Sequence, residues 1–380
     1  MIKIAKWFNN HQAPMCLTID DISDVYIKPR GLKSKKIMPF FDWGFGLDKD
    51  DSLYKFFVNN IIKKNPEMKI TFFLPLGVHG SPNINSNYEI KNYGLQRKNF
   101  LKFIKNIQDK YDFEIAAHGI NHDKYIDINN PEIRNNVMHE LTYVNRDNFI
   151  KKMKQIIDSL YKDYGIEIVG GRSPGYENKT LKPKDLSKIG LLYWNFDFFN
   201  LKSISPKTIN DLVIIPSNIP GNLFNDHPAL LTFKNILREI KKNYRLSKLM
   251  KIYESGNPII IAEHFMFFRT DGKFQSPSIY SDVNSINRIY ALFKRANVWH
   301  ATCSKVAKYF ESYCHSSIRK IDNKRYKLTY IGKYKKPFIT IISNSKEFKN
   351  VETGKIIKGY YKHGYWIYNN INTGVYEEIE

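Results

Sequence analysis

The stretch Leu17-Thr18-Ile19-Asp20-Asp21 ends an apolar run with two adjacent carboxylates. The apolar residues from 14 to 19 predict a short buried strand that stops at the two aspartates. Because successive side chains on a strand point to opposite faces, two neighbouring carboxylates at its end can serve different purposes, one binding a metal and the other moving a proton. A helix cap or a solvated turn is the commoner explanation of an isolated Asp-Asp pair, so the interpretation depends on partners elsewhere in the chain.

Apolar, β-prone runs recur along the chain with helical patterns between them. The predicted strands cover residues 15–19, 69–74, 113–117, 166–169, 191–196, 212–215, 258–262 and 298–302, and the predicted helices cover 51–64, 97–110, 146–164, 228–255 and 283–296. Repeated strand–helix alternation is typical of a parallel α/β architecture, and a barrel is its closed form. In such barrels the reactive residues lie at the carboxyl ends of the strands.

The periodicity of the sequence changes near Tyr313. From about Ser316 onward, apolar residues alternate with polar ones, and turn signals such as Asn372-Thr373-Gly374 separate the runs. We therefore predict two domains, an α/β barrel over residues 1–313 and a small antiparallel β module over residues 314–380. Aromatic residues of this module could bind sugar, although packing against the barrel is the commoner role.

The composition fits a folded protein that prefers acidic partners. Of 380 residues, 42% are hydrophobic and 14% aromatic, enough for a sizeable core, and the formal charge is +22. This charge favours anionic glycans, lipid head groups or nucleic acid, unless it reflects only the base composition of the genome. The basic residues are spread over the chain without a nucleic-acid motif. We expect an acidic partner and peripheral membrane association, but no nucleic acid.

The cysteines and the first residues bear on the compartment. Cys16, Cys303 and Cys314 have no CxxC spacing, which argues against a disulfide framework or a zinc-finger pattern and favours a reducing compartment. The first residues lack the apolar segment of a signal peptide, and no apolar run reaches the roughly 20 residues of a membrane span. The sequence therefore predicts a soluble, cytoplasmic protein.

Two histidines follow the predicted strand 113–117. His118 and His122 are four residues apart, a spacing that places both imidazoles on one side of a helical turn and suits two ligands of one metal. With one aspartate from the first strand they would form a site of two histidines and one carboxylate, with open positions for water. The HxxxH spacing alone is weak evidence, and the Asp-Asp pair at another strand end strengthens it.

Two further strand ends carry polar residues. The segment Gly170-Gly171-Arg172-Ser173-Pro174-Gly175-Tyr176 offers an arginine that could hold a carboxylate and a glycine whose backbone N–H could bind an oxyanion. His264 follows the run 258–262, in position for a general acid. Taken singly, the first could be a structural turn and the second a core histidine.

Together these segments resemble one family, the polysaccharide deacetylases, which form carbohydrate esterase family 4. The segments that follow its order and approximate spacing are Thr18-Ile19-Asp20-Asp21, His118 with His122, Arg172-Ser173-Pro174, Trp194-Asn195-Phe196-Asp197 and Ile261 with His264. The resemblance covers about residues 10–312 and includes Trp299-His300-Ala301-Thr302 as the last strand. It implies a distorted (β/α) barrel of seven or eight strands and the removal of N- or O-acetyl groups from glycans.

The resemblance also implies a role for each matched residue. Asp21, His118 and His122 would bind one divalent metal, with zinc as the first choice and cobalt, manganese or iron able to occupy the same ligands. The residues implied in the chemistry are Asp20 as general base, Arg172 orienting it, the backbone N–H of Gly175 at the oxyanion, and His264 protonating the leaving amine.

The sequence departs from the family pattern at several positions. Ile22 replaces the usual glycine after the Asp pair, Gly119 replaces Ser or Thr after the first histidine, and Ala262 replaces a leucine. The family's second Asp of the fourth motif, which tunes the catalytic histidine, would fall on Asn200 unless Asp197 takes that role. These differences suggest a divergent member with an unusual substrate.

The expected activity is metal-dependent hydrolysis of an N-acetyl group on an amino sugar in a glycan or glycan precursor. An amide is a poor electrophile, and a bound divalent metal lowers the pKa of water from about 16 to about 7, which supplies hydroxide near neutral pH. One alternative is a deformylase or another amide hydrolase acting on a lipid-linked amino sugar. Another is a catalytically silent protein that binds glycans.

Overall fold

The computed structural model describes residues 2–22, 25–29, 38–39, 53–77, 88–93, 97–120, 141, 145–176, 180–197, 203–224, 233–264 and 278–379. The strands in this part of the chain are β1 (Ile2–Ile4), β2 (Ala13–Ile19), β3 (Val25–Pro29), β4 (Met38–Pro39), β5 (Ile70–Leu74), β6 (Tyr88–Tyr93), β7 (Glu114–Ala117), β8 (Gly170–Arg172), β9 (Tyr193–Asp197), β10 (Lys207–Ile209), β11 (Leu212–Ser217), β12 (Ile219–Pro220), β13 (Ile259–Glu263), β14 (Val298–His300), β15 (Ser316–Lys320), β16 (Arg325–Tyr330), β17 (Thr340–Ser343), β18 (Glu347–Asn350), β19 (Ile356–Lys358), β20 (Tyr360–Lys362), β21 (Tyr365–Asn369) and β22 (Gly374–Ile379). The helices are α1 (Leu53–Phe57), α2 (Arg97–Tyr111), α3 (Arg146–Tyr164), α4 (Pro183–Lys188), α5 (Phe233–Glu254), α6 (Ser278–Phe293) and α7 (Cys303–Cys314), and α1 continues into a π-helical turn at Val58–Ile62.

The central sheet is mostly parallel, as the strand–helix alternation predicts. Its hydrogen-bonded order is β10-β11-β9-β8-β7-β5-β2-β13-β12, with β14 also pairing with β2, and only the β10–β11 pair is antiparallel among these pairings. The neighbouring segments β11 and β12 are separated by Asn218, yet β11 pairs with β9 and β12 pairs with β13. A mixed α/β architecture is confirmed, whereas closure of the sheet into a barrel stays a prediction.

Strand β2 lies between β5 and β13 in this sheet and is buried along its whole length. Alternate residues serve different faces: Met15 and Leu17 belong to the large apolar cluster that includes buried residues of the helices, and Cys16 belongs to a second cluster on the other face with Phe73 and Ile260. Because both faces are covered, the strand reads as a continuous apolar run and not as an alternating one.

The prediction of a strand at 166–169 is wrong, because the strand in this region is β8, at Gly170–Arg172. The prediction followed the apolar residues that precede this strand. The glycines of β8 have no side chains, so they show no strand pattern in the sequence. A Cβ on Gly171 would lie 2.6 Å from the carbonyl oxygen of Ala117 on β7, so the close approach of β8 requires glycine there.

Helix α3 is confirmed at the predicted bounds, 146–164. The side chain of Asn145 caps its first turn by accepting a hydrogen bond from the backbone N–H of Asn148 at 3.2 Å. Gly165 ends the helix in the left-handed conformation, with φ of 66°. The helix buries Phe149, Met153, Ile157 and Leu160.

The predicted C-terminal β module is present as two antiparallel sheets. Their orders are β1-β17-β21-β20 and β15-β16-β22-β18-β19. An apolar cluster that includes Leu328, Phe348, Tyr368 and Tyr376 draws on strands of both sheets. Strand β1 belongs to the first of these sheets, so the first residues of the chain pair with the C-terminal region, and the predicted boundary at 313 stays a prediction.

The described helices include none that is both long enough and apolar enough to cross a bilayer.

Candidate active site

The two aspartates at the end of β2 are buried, with Asp20 2% and Asp21 3% exposed. Asp20 lies two residues beyond Thr18 and shares its contact with Arg172, as the period of two along a strand requires. Asp21 has a positive φ of 59°, so the chain turns directly after Asp20. The turn and the alternation of side chains bring Asp20 to Arg172 and Asp21 to His118, while both carboxylates also lie near His264.

Arg172, at the end of β8, is fully buried and holds Asp20 in place. Its Nη1 donates a hydrogen bond to Asp20 Oδ1 at 2.7 Å. Its Nη2 donates to Thr18 Oγ1 at 2.9 Å and to Asn195 Oδ1 at 3.1 Å, and also to the hydroxyl of Ser217. A guanidinium held by four acceptors on or directly after three strands, β2, β9 and β11, cannot turn away from the carboxylate, so the ion pair is fixed in one geometry.

The charge around Asp20 keeps it ionised. Burial by itself raises the pKa of a carboxyl group, but here the positive charge of Arg172 and the two histidines, His118 and His264, together with the hydrogen bond from Arg172, outweigh that effect and lower the pKa of Asp20 to about 2. At neutral pH this side chain is therefore a buried carboxylate that can accept a proton.

His118 follows β7 and is 1% exposed. Its Nδ1 lies 3.2 Å from the carbonyl oxygen of Arg172, and its Nε2 lies 3.5 Å from Asp21 Oδ1. The predicted helical turn is wrong for residues 118–120, which are not helical, because Gly119 takes a left-handed φ of 68°. His122 lies outside the described residues.

Asp21 and His118 have the chemistry of two metal ligands. A backbone carbonyl that accepts from Nδ1–H fixes the imidazole with Nε2 directed at the carboxylate, an arrangement common among metal-binding histidines. Within the described ranges, no group of three His, Cys, Asp or Glu side chains could hold a metal ion. The predicted third ligand, His122, would complete such a group, so the residues present fit a metal site without filling it.

His264 lies directly after β13 and faces both aspartates. Its Nε2 is 3.4 Å from Asp20 Oδ2 and 3.9 Å from Asp21 Oδ2, and its side chain is 29% exposed while the two carboxylates are buried. The imidazole is therefore the most accessible of these three groups.

For two other predicted site residues, Gly175 and Asp197, the structure gives the position of the backbone but no contact with the groups above. Gly175 lies three residues after Arg172 in an exposed turn with φ of 56°, at the same end of the sheet. The backbone of Asp197 is the last position of β9, paired with Ser217 of β11. The side chain of Asp197 and all of Asn200 lie outside the described part of the chain, so the choice between them as support for His264 stays open.

Three of the residues that hold Arg172 are not among the predicted site residues. Thr18 could have been found from the period of two, because it shares the strand face of Asp20, and Asn195 stands within the fourth motif. Ser217 carries no sequence signal. Its hydroxyl also donates to Asn195 Oδ1 at 2.5 Å, which ties β11 to β9 beneath the arginine.

No family model matches this sequence, and no curated protein matches it. The chain does match solved structures. A protein from Mycobacterium smegmatis assigned to the polysaccharide deacetylases has a TM-score of 0.48 at 16% identity, over 84% of this chain and 97% of its own. A family 4 carbohydrate esterase from Streptomyces lividans in complex with acetate has a TM-score of 0.37 at 12% identity, over 78% of this chain and 95% of its own.

The Puue allantoinase also matches, with a TM-score of 0.43 at 12% identity, over 80% of this chain and 92% of its own. Identities of 12–16% and TM-scores below 0.5 identify no activity for this chain. The matched structures nonetheless include members of the family that the sequence motifs resemble, the polysaccharide deacetylases.

Proposed function

We propose that this protein is a metal-dependent hydrolase that removes the N-acetyl group from an amino sugar in a glycan or glycan precursor. The observation that carries the proposal is the arrangement around Asp20: a buried carboxylate held by Arg172, with His264 on its other oxygen and the Asp21–His118 pair beside it. A purely structural role would not require a carboxylate and an imidazole to meet at a partly exposed position.

The metal would be held by Asp21, His118 and His122. When bound, it would lower the pKa of a water molecule to about 7 and take up negative charge as the amide is attacked. The donor set of one carboxylate and two imidazoles suits zinc, and it would also accept cobalt, manganese or iron.

Asp20 would act as the general base. One of its oxygens is fixed by Arg172 at 2.7 Å, which leaves Oδ2, on the side of His264, to take the proton of the attacking water. Because the pKa of Asp20 is lowered to about 2, the group is available as a base throughout the neutral range, although it is a weak one. Its value as a base comes from its fixed position.

His264 would act as the general acid. Its Nε2 lies 3.4 Å from Asp20 Oδ2, so both proton-transfer groups face the same point, and its partial exposure leaves room for a sugar. As the C–N bond breaks, the proton on Nε2 would pass to the leaving nitrogen, which gives the free amine and acetate. The backbone N–H of Gly175 would help to bind the oxyanion that forms during attack.

The substrate would be an N-acetylated sugar or glycan, and the charge of the protein favours one that is anionic or lipid-linked. The formal charge of +22 supports an anionic partner and favours the surface of an anionic membrane as the place of reaction. We also infer that the central sheet closes into a distorted barrel, because β11 and β12 form one bent segment that pairs with β9 on one side and β13 on the other.

The test combines metal analysis with product analysis. We expect elemental analysis to find about one divalent ion per chain in the purified protein, lost in His118→Ala and retained in the control His363→Asn, which removes a histidine from a turn with φ of 50°. Acetate release from N-acetylated chitooligosaccharides should disappear in Asp20→Asn while the metal stays bound.

Formate as the only acid released, from an N-formyl amino sugar, would instead support the deformylase. If the protein binds no metal after incubation with zinc and releases no acid, the hydrolase proposal is overturned. A glycan-binding protein would then remain.

A further inference from the structure

Glu263, the last residue of β13, is a buried carboxyl group next to the proposed acid. It is 8% exposed. Along β13 the residues Ile259 and Ile261 belong to the apolar cluster on the helix-facing side of the sheet, and Glu263 shares that side by the period of two. Its side chain therefore lies behind the site, on the opposite side of the strand from Asp20 and His264.

Glu263 contacts the backbones of both proposed proton-transfer residues. Its Oε1 accepts a hydrogen bond from the backbone N–H of His264 at 2.8 Å. Its own carbonyl oxygen accepts from the backbone N–H of Asp20 at 3.1 Å. The side-chain bond holds the peptide that carries the imidazole at the point where the regular strand ends.

Space for this carboxyl group depends on a glycine. A Cβ on Gly221 would lie 2.2 Å from Glu263 Oε2. The backbone N–H of Gly221 donates to the carbonyl oxygen of Ala262 at 2.8 Å and so extends the β12–β13 ladder, which fixes the distance between the two segments. A methyl group at position 221 would displace this carboxyl group, so the position requires glycine.

The surroundings favour the neutral form of Glu263. Burial raises the pKa of its carboxyl group well above the usual range, and the negative charges of Asp282 and Asp20 raise it further, whereas the hydrogen bond from His264 acts in the opposite direction. A neutral carboxyl with an accepting oxygen is closely matched by an amide. Glutamine is therefore the conservative replacement here, and alanine is the disruptive one.

We propose that Glu263 is a positioning residue that sets the direction of the His264 imidazole toward the leaving group, with Gly221 providing its room. This inference rests on the proposed function, because it assigns Glu263 a part in the step that His264 performs. Reactive groups displaced by about 1 Å can lose about 100-fold in rate, so a small shift of the peptide at His264 would be measurable.

The experiment compares two substrates that differ in their need for an acid. Hydrolysis of N-acetylated chitohexaose requires protonation of the amine, whereas p-nitrophenyl acetate has a leaving group that departs without it. In Glu263→Ala we expect kcat for chitohexaose to fall by about 100-fold with KM and metal content unchanged, and kcat for the aryl ester to change little. Glu263→Gln should restore the amide activity, and Gly221→Ala should reproduce the alanine phenotype with Glu263 still present.

The matched control is Glu114→Ala, which removes another buried glutamate at the opposite end of the parallel strands. It should lower thermal stability without changing the ratio of amide to ester activity. If kcat falls equally for both substrates in Glu263→Ala, or if this variant keeps its amide activity, the inference about Glu263 is overturned. The proposed hydrolase function would stand in either case. A wild-type protein that hydrolyses neither substrate would instead be a failure of the proposed function.

Discussion

Two buried carboxylates at opposite ends of the central sheet differ in what surrounds them. Asp20 follows the carboxyl end of β2 and is paired with the charged Arg172, whereas Glu114 begins β7 and is held by neutral donors. The pKa of Asp20 is lowered to about 2. Burial raises the pKa of Glu114, and hydrogen bonds from Ser304, Thr71 and Tyr193 oppose that rise without overcoming it.

The donors to Glu114 show what the amino-end carboxylate does. It accepts from the Thr71 hydroxyl at 2.8 Å, from the Tyr193 hydroxyl at 2.9 Å and from the backbone N–H of Ser304 at 2.9 Å. Ser304 lies in the first turn of α7, where backbone N–H groups have no partner within the helix. Glu114 therefore fastens α7 to the sheet, a structural task for which full ionisation is unnecessary.

The different partners of Asp20 and Glu114 give the two carboxyl groups different roles at the two ends of the sheet. Neutral donors satisfy a buried carboxyl group but do not hold its charge, whereas a fixed guanidinium keeps the charge present at neutral pH. Only the carboxylate with the charged partner also faces a partly exposed imidazole. The charge of the partner, more than the depth of burial, distinguishes the carboxylate of the candidate site from the structural carboxyl group.

The largest effect should follow from removing the cation. Arg172→Met leaves Asp20 buried without its charged partner, and we expect a loss of about 3–5 kcal/mol in the free energy of unfolding. The double variant Arg172→Met/Asp20→Asn should recover much of that loss, because no buried charge remains. Denaturant unfolding of both proteins measures it, and a loss below about 1 kcal/mol in the single variant would contradict the comparison.

The next effect concerns the amino end. Glu114→Ala leaves the buried donors of Thr71 and Tyr193 and one N–H of α7 without their acceptor, so we expect a loss of about 2–3 kcal/mol. Glu114→Gln should be far milder, since the Tyr193 hydroxyl can turn to accept from the amide. Thermal or denaturant unfolding would show it, and equal losses in both variants would mean that charge matters at this end as well.

The pH dependence of stability sharpens the same contrast. Because the pKa of Glu114 is raised in the folded protein, its stabilising contribution is fully present below the unfolded pKa of 4.5 and is lost as the pH rises through the folded pKa. We therefore expect Glu114→Gln to gain stability relative to the wild type as the pH increases from 4.5 toward neutral. The unfolding midpoints of the two proteins across that range test the sign, and a relative loss would reverse our account of this carboxyl group.

The smallest effect belongs to the shell around the arginine. Ser217→Ala removes one acceptor of Arg172 and one donor to Asn195, while Thr18 and Asp20 still hold the guanidinium. A loss of about 0.5–1.5 kcal/mol is expected, with the Asp20 contact preserved. Its size relative to Arg172→Met, measured under the same conditions, shows whether the charge or the network dominates.

Periodicity and the ends of apolar runs in the sequence were sufficient to predict some parts of this fold. The bounds of α3 and the positions of Asp20, Asp21, His118, Arg172 and His264 at one end of the sheet could be predicted, because polar residues after apolar runs mark strand ends. The position of β8 could not, because its glycines carry no pattern. Ser217 was missed because its role arises from contacts across strands, which no local spacing reveals. Glu263 was missed because nothing in the sequence shows that its side chain accepts from the backbone N–H of His264.

The pairing of β1 with β17 has a consequence for the way this chain folds. The backbone N–H of Asn9, shortly after β1, donates to Thr340 Oγ1 at 3.0 Å across a separation of 331 residues. During synthesis β1 cannot form its described pairing until β17, more than 300 residues later in the sequence, has been made. The parallel sheet can assemble in the meantime, so completion of the C-terminal module is the step that finally secures the start of the chain.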